Sequence, residues 1–144
     1  MKVWNEITCQ YELDNFMNLY GGFHDSCIKE FKYLSGAFVS KDLSMHPVND
    51  RNDFKIVFQR QANDPSVIEM EFIGLLRLSI YPVDEKYTCE VLDANMILGD
   101  NCIYWYDCKK LSENELYTYT GTLICSSKVR WRVAEEYIGY HEIY

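Results

Sequence analysis

The chain has 144 residues, of which 48% are hydrophobic and 15% aromatic, and its 14 basic and 22 acidic side chains give a net charge of −8. This length and composition fit one folded domain over residues 1–144 and exclude an intrinsically disordered chain. The negative charge disfavours binding to nucleic acid or to anionic membranes.

An N-terminal helix is the first predicted element. Apolar residues recur at the spacing of one helical face, at Leu13, Phe16, Met17 and Tyr20. Thr8 is expected to cap the start of this helix, and Gly21 or Gly22 to end it, because glycine accepts the left-handed backbone that follows a helix.

Period-two alternation then predicts a series of strands. They are expected at 27–34, 54–61, 67–81, 88–98, 102–108, 116–125 and 128–133. Residues 36–53 are expected to form a weak strand or turn and then a loop. Gly74 should mark a bulge inside its strand, with Leu76 facing inward, and Pro82 should end that strand.

The turns between these strands follow from their residue types. Gly99, Asp100 and Asn101 predict one turn, and Ser126 with Ser127 predicts another. The segment 134–144 is either a closing strand or an exposed edge that a partner completes. We therefore predict an α+β, mainly antiparallel fold, in which one helix precedes a meander of about seven or eight strands in a sandwich or open barrel.

The segment GGFHDSCIKEF, residues 21–31, contains the most suggestive cluster of side chains. His24 and Asp25 could act as a base and its carboxylate, or as metal ligands, with Cys27 as a nucleophile. Adjacent residues of an extended chain point to opposite faces, however, and this disfavours a pair. We therefore favour a structural corner, in which Asp25 accepts main-chain hydrogen bonds and His24 packs under the helix.

Basic side chains alternate with apolar ones near the end of the chain. Lys128, Arg130 and Arg132 share one predicted strand face. This face is either simply solvated, which we favour, or a cationic platform for an acidic protein segment or a small anion. Three charges are too few for binding to DNA.

No targeting or metal-binding pattern is found. The N-terminal sequence has no apolar leader, and no stretch approaches about 18 apolar residues, so we expect a cytoplasmic protein. The six cysteines include no Cys-x-x-Cys pair, and the three histidines are scattered. We expect no metal site and no cofactor.

One segment of the sequence resembles a known group of proteins. Phe23-His24-Asp25-Ser26, followed by Ile28 and preceded by a short helix, is similar to the opening of small cytosolic bacterial proteins of unknown function that are grouped with immunity proteins of polymorphic toxin systems. The resemblance implies a stoichiometric binder of another protein, without a catalytic site. An acidic, aromatic-rich surface suits that role, because acidic inhibitors are attracted to basic toxins.

Two functions remain after the sequence is considered. The first is a non-enzymatic protein-interaction domain, for which another protein is the expected partner. The alternative is a small-molecule-binding barrel or minor enzyme near His24, with a pocket lined by Tyr104, Trp105, Tyr106, Tyr117, Tyr119 and Trp131. Tyr104 and Tyr106 are candidate contacts in either case.

The oxidation state of the six cysteines can be tested directly. In a chain without an export signal the six thiols should be reduced. Alkylation of the denatured protein without reductant, followed by mass spectrometry, should therefore modify six sites. A mass lower by two protons for each missing pair of modifications would reveal disulfides and contradict this expectation.

Overall fold

The computed structural model describes residues 2–47, 52–81, 86 and 88–144. Two α-helices are present in these residues, α1 (Gln10–Leu19) and α2 (Glu113–Leu116). The strands are β1 (Asn5–Glu6), β2 (Ser26–Leu34), β3 (Phe38–Val39), β4 (Met45–His46), β5 (Asp53–Arg60), β6 (Val67–Ser79), β7 (Glu90–Val91), β8 (Asn95–Gly99), β9 (Cys102–Tyr106) and β10 (Leu123–Val133).

The main sheet is antiparallel and curves into a half-barrel, which confirms the predicted fold class. Its strand order is β7-β2-β5-β6-β10-β9-β8, and β1 pairs with β10. The sheet consists of two consecutive runs, β2-β5-β6 and β8-β9-β10, joined by the pairing of β6 with β10. Strand β6 therefore lies at the centre of the sheet, and β7, the next strand in the chain, lies at its edge beside β2.

Helix α1 packs against one face of this sheet. Leu13, Phe16 and Tyr20 are buried among inward-facing residues of β5, β6, β9 and β10. The inward residues of β5 are the predicted ones, and all of them are fully buried: Phe54, Ile56 and Phe58. A single helix and a single sheet face thus supply the main core, which agrees with the helical stripe and strand alternation in the sequence.

The helix begins one residue later than predicted. Cys9, not Thr8, is the capping residue, and its side chain does not cap the helix. Instead, Glu12 Oε1 accepts hydrogen bonds from the N–H of Thr8 at 3.1 Å and from its hydroxyl at 2.6 Å. Gly21, with φ +60°, ends the helix as expected.

Gly74 changes the direction of side chains within β6, but the predicted inward position of Leu76 is wrong. Gly74 has φ +69°. The pairing with β10 then shifts by one residue: Leu75 pairs with Ser126 and Arg77 pairs with Cys125, so Leu76 has no partner residue on β10. Leu76 is the extra residue of this bulge and is exposed, whereas Leu75 is buried. Pro82 lies outside the described residues, and β6 ends at Ser79.

Several other predicted boundaries are wrong, among them the continuous strand expected at 88–98, which the structure divides into β7 (Glu90–Val91) and β8 (Asn95–Gly99). The segment from 116 to 122 is not a strand, because Ser112 and Glu115 form a reciprocal capping box that starts α2. Ser126 and Ser127 do not form a turn, since β10 continues through them. Of the two alternatives for residues 134–144, the closing strand is excluded, because this segment forms a single 3-10 turn and an irregular tail.

The second face of the sheet contains a buried ionic network. The Arg132 side chain is 3% exposed, and its Nε donates to Glu69 Oε1 at 2.7 Å, while its Nη1 donates to Glu136 Oε1 at 2.7 Å. The Glu69 side chain is 4% exposed, and its Oε2 accepts a 2.5 Å hydrogen bond from the Tyr144 hydroxyl. Burial of both charges is tolerated because each has a directly hydrogen-bonded partner.

Both ends of the described chain cover this face. The Trp4 ring lies 4.4 Å from the guanidinium of Arg130 and 5.6 Å from that of Arg132. The main-chain N–H groups of Ile143 and Tyr144 donate to the carboxylate of Glu30 at 2.9 and 2.8 Å. Within the described residues, the helices are too short and too polar to cross a bilayer.

The ionic network predicts unequal effects of two substitutions. Glu69→Ala leaves a buried guanidinium with only one carboxylate, so it should lower the free energy of unfolding by about 3–5 kcal/mol. Glu71→Ala is the comparison variant: the Glu71 side chain is itself only 9% exposed, but the Arg130 guanidinium left behind is 33% exposed and can be hydrated, so this loss should be smaller, about 1–2 kcal/mol. Urea denaturation measures both values, and equal losses would contradict the assigned roles.

Candidate functional site

The corner between α1 and β2 is the predicted site that the structure resolves most clearly. Four of its residues have a left-handed backbone, Gly21 (φ +60°), Gly22 (φ +63°), Phe23 (φ +62°) and Asp25 (φ +55°). This conformation turns the chain sharply and directs the Phe23 ring into the core. The rings around it have centroids 4.8–5.8 Å away and belong to Phe16, Tyr20, Phe58 and Trp105.

The structure reverses two expectations about His24. The residue packed under the helix is Phe23, and the His24 side chain is 63% exposed. His24 Nε2 lies 3.6 Å from Asp25 Oδ2, although adjacent residues of an extended chain would point apart. The argument from an extended chain is wrong here because Asp25 has φ +55° and is not extended.

The imidazole of His24 has a defined hydrogen bond. Its Nδ1–H donates to the carbonyl oxygen of Leu92 at 2.7 Å. This hydrogen bond, followed by the negative charge of Asp25, raises the pKa of His24 above its ordinary value of 6.5. The prediction that the Asp25 carboxylate accepts main-chain hydrogen bonds is wrong in the described residues: that carboxylate faces His24, and it is the main-chain carbonyl of Asp25 that accepts from the N–H of Gln61 at 3.0 Å.

The neighbouring hydroxyl and thiol are not arranged as nucleophiles. The Ser26 hydroxyl is buried and donates to the carbonyl of Phe23 at 2.7 Å. Burial raises the pKa of the Cys27 thiol, which favours the unreactive protonated form. The corner therefore brings an exposed imidazole and carboxylate together without an activated nucleophile beside them.

A cleft of about 380 Å³ opens beside the corner. Most of its polar groups already bind the main chain. Arg60 donates from Nε to the Pro65 carbonyl at 2.7 Å, and its guanidinium lies 4.6 Å from the centre of the Tyr20 ring. Gln59 Nε2 donates to two carbonyls of the tail at 2.9 Å. These side chains stabilise loops, and few of their hydrogen-bonding groups remain available for a ligand.

The six aromatic residues proposed to line a pocket do not converge. Trp105 is in the main core, and Trp131 packs on Phe16 with centroids 4.9 Å apart. Tyr104 and Tyr106 point to the other face, where Tyr106 belongs to a second cluster with Leu116, Leu123 and Cys125.

Three of the four tyrosines pack together around the second cluster without lining a cleft of the described surface: Tyr104 and Tyr119 lie against it, and the ring centroids of Tyr106 and Tyr119 are 6.2 Å apart. The Tyr104 hydroxyl donates to Glu113 Oε1 at 3.3 Å, and the Tyr106 hydroxyl accepts from the N–H of Leu111 at 3.0 Å. Tyr119 donates to the carboxylate of Asp107, whereas Tyr117 is exposed. Five clefts of 210–570 Å³ open on the described surface, and none of these five is lined by any of the six rings.

The predicted cationic face is neither solvated as a whole nor available as a platform. Arg132 is buried in the network with Glu69, and Arg130 donates from Nε and Nη2 to Glu71 Oε2 at 3.1 and 2.8 Å. Of the three basic residues only Lys128 is exposed. The prediction of a solvated face is therefore wrong for Arg132, because acidic residues of the neighbouring strand β6 lie directly opposite.

No homologous protein assists the assignment of the site. In the described part of the chain, no group of three or more His, Cys, Asp or Glu residues could hold a metal ion. Comparisons with family models, with curated proteins and with solved structures found no match to the chain.

One surface was missed by the sequence interpretation. Large apolar side chains are exposed at six positions between residues 31 and 45: Phe31, Tyr33, Phe38, Val39, Leu43 and Met45. The sequence FVSKDLSMH, residues 38–46, indicates this surface, because apolar residues recur in a segment that is too polar to be a core strand. The expectation of a weak strand and loop gave these apolar residues no role, whereas the structure exposes them.

The geometry of the corner predicts the titration of His24. Its pKa is higher in the folded than in the unfolded chain, so protonation stabilises the fold. This contribution is complete below about pH 6.5 and is lost as the pH rises through the folded-state pKa. An NMR pH titration, with His24→Gln to assign the signal, should find a pKa above 6.5. Asp25→Asn should lower that pKa. A value at or below 6.5 in the unmodified protein would contradict the geometry.

Proposed function

We propose that this chain is a non-enzymatic protein-interaction domain, a stoichiometric binder that acts in the cytoplasm and is of the immunity type that its opening segment resembles. The observation that carries the proposal is the filled interior of the half-barrel. Helix α1 and the Phe23 ring occupy the space where a ligand-binding barrel would hold its ligand.

The polar groups of the corner support the same conclusion. A catalytic site needs a nucleophile or base that is held in reach of a substrate and is not used by the protein itself. Ser26, Gln59 and Arg60 are hydrogen-bonded to main-chain carbonyls. His24 and Asp25 are open to solvent, where electrostatic interactions are screened.

The charge and surface of the molecule suit a protein partner. A net charge of −8 would attract a basic protein over a long range. The exposed apolar residues between positions 31 and 45 offer contact area that folding does not use. A small-molecule function would depend instead on the cleft of 380 Å³ beside Asp25.

Stoichiometry tests this proposal. Proteins encoded beside the gene for this chain should be produced with and without it, and any toxic or enzymatic activity measured as the purified chain is added. A binder should abolish that activity at about one molar equivalent and should form a stable complex in size-exclusion chromatography with light scattering.

His24→Ala is the matched variant for the alternative function. It should retain the inhibition, because the corner has no catalytic role in the proposal. Two results would show that the chain acts as an enzyme. The first is complete inhibition when far less than one molar equivalent of the chain is added. The second is loss of inhibition in His24→Ala at an unchanged melting temperature.

A further inference from the structure

The hairpin of β3 and β4, residues 38–46, lies outside the main sheet and is called the apolar hairpin below. Its two strands pair with each other, Phe38 with His46 and Val39 with Met45, and form a separate two-stranded sheet. None of its residues belongs to the three buried clusters of the described chain. The side chains of this hairpin therefore contribute nothing to these three clusters.

Apolar side chains of the hairpin are nevertheless directed into solvent. Phe38, Val39 and Met45 are 54%, 52% and 65% exposed, and Leu43 is 83% exposed. Scattered exposed apolar residues are common on protein surfaces, but several on one short hairpin are typical of contact surfaces.

Internal contacts hold the hairpin in one conformation. The N–H of Ser40 donates to the Ser44 carbonyl at 3.0 Å, and the N–H of Leu43 donates to the Ser40 carbonyl at 2.9 Å. Ser40 Oγ and His46 Nε2 are hydrogen-bonded at 2.7 Å. The rings of Phe38 and His46 are stacked with centroids 4.5 Å apart. Such preorganisation reduces the entropy that is lost when a loop binds a partner.

The tip of the hairpin has an unusual backbone. Leu43 has φ +71°, a conformation that glycine and asparagine accept readily and a bulky side chain does not. The fold has no evident use for leucine there, since this side chain is the most exposed of the hairpin. Strain of this kind concentrates at functional positions.

We propose that the apolar hairpin inserts Leu43 into an apolar pocket on a basic partner protein. The opposite charges of Lys41 and Asp42 cancel at the tip of the hairpin, so the tip itself favours an apolar pocket. The whole chain has a charge of −8, and this charge attracts a basic partner over a long range. The inference rests on the proposed function, because it names the contact element of the same protein binder.

The internal use of arginine strengthens the charge argument. Arg60 and Arg77 donate to main-chain carbonyls, and Arg130 donates to Glu71. Arg132 is buried with Glu69 and Glu136. The arginines in the described residues are therefore used within the fold, and the exposed cations of the described surface are mainly lysines, such as Lys32, Lys41 and Lys128.

Site-specific photo-crosslinking tests the contact. A benzophenone amino acid is placed at position 43 or at position 140 of the full chain in its native host. Tyr140 is a matched control, because it is 85% exposed and lies in the tail that Gln59 holds, at the opposite end of β5 from the hairpin. Position 43 should crosslink one basic protein that position 140 does not.

Purified partner and variants then measure the energetics. Leu43→Asp should weaken binding by about 100-fold or more, as for a central contact residue, and Tyr140→Asp should change it by less than about threefold. Leu43→Gly relieves the backbone strain, so it should weaken binding by about tenfold or more without lowering the melting temperature. Rising salt should slow association.

Each other outcome overturns the proposal. An acidic protein, a second copy of this chain, equal crosslinks at both positions, or unchanged affinity of Leu43→Asp excludes the apolar hairpin as the contact with a basic partner. Crosslinking at position 140 alone preserves the stoichiometric binder and rejects the hairpin. Absence of crosslinks at both positions, together with no inhibition in the stoichiometry experiment, rejects both proposals.

Discussion

The insertion of Phe23 between the helix and the sheet determines much of the rest of the molecule. Its ring packs edge-on against Phe58 and Trp105 at 4.8 and 5.6 Å, and it closes the end of the core that the helix leaves open. The chain can place that ring only by passing through several left-handed residues. The same turn directs His24 and Asp25 outward, so a core requirement explains why this suggestive pair lies in solvent.

A sheet with one helix has a second face that must also be covered. Here the cover comes from the chain ends, from ion pairs and from the short helix α2, whose Leu116 packs with Tyr106. Trp4 lies over Arg130, and Tyr144 reaches Glu69 from the opposite end of the sequence. A purely apolar second face would need a longer helix. A ladder of paired charges can be partly wet, so these short segments are sufficient.

The strands and the helix were largely predictable, because their apolar residues follow simple periods and contact one core. Phe54, Ile56 and Phe58 are the clearest case. The strand predictions fail where a local hydrogen-bonding pattern overrides the alternation of apolar and polar residues. The capping box of Ser112 and Glu115 starts a helix that runs up to Leu116, the first residue of the segment that alternates like a strand.

The charged residues of the candidate site were much harder to predict. Glu69 and Arg132 each look like solvent-facing residues of a strand when they are considered alone. They are 63 residues apart in sequence, and only the register of β6 and β10 reveals that they are opposite each other. The His24–Asp25 contact depends on one backbone angle at Asp25, which the residue type permits but does not dictate.

The separation of the apolar hairpin from the core has a consequence for how such a protein can evolve. Most substitutions that change recognition in a compact domain also disturb packing, so they are limited by the stability that remains. A change at Phe38, Leu43 or Met45 touches no buried cluster of the described chain. Selection for a new partner can therefore act on this hairpin while the half-barrel keeps the same sequence requirements.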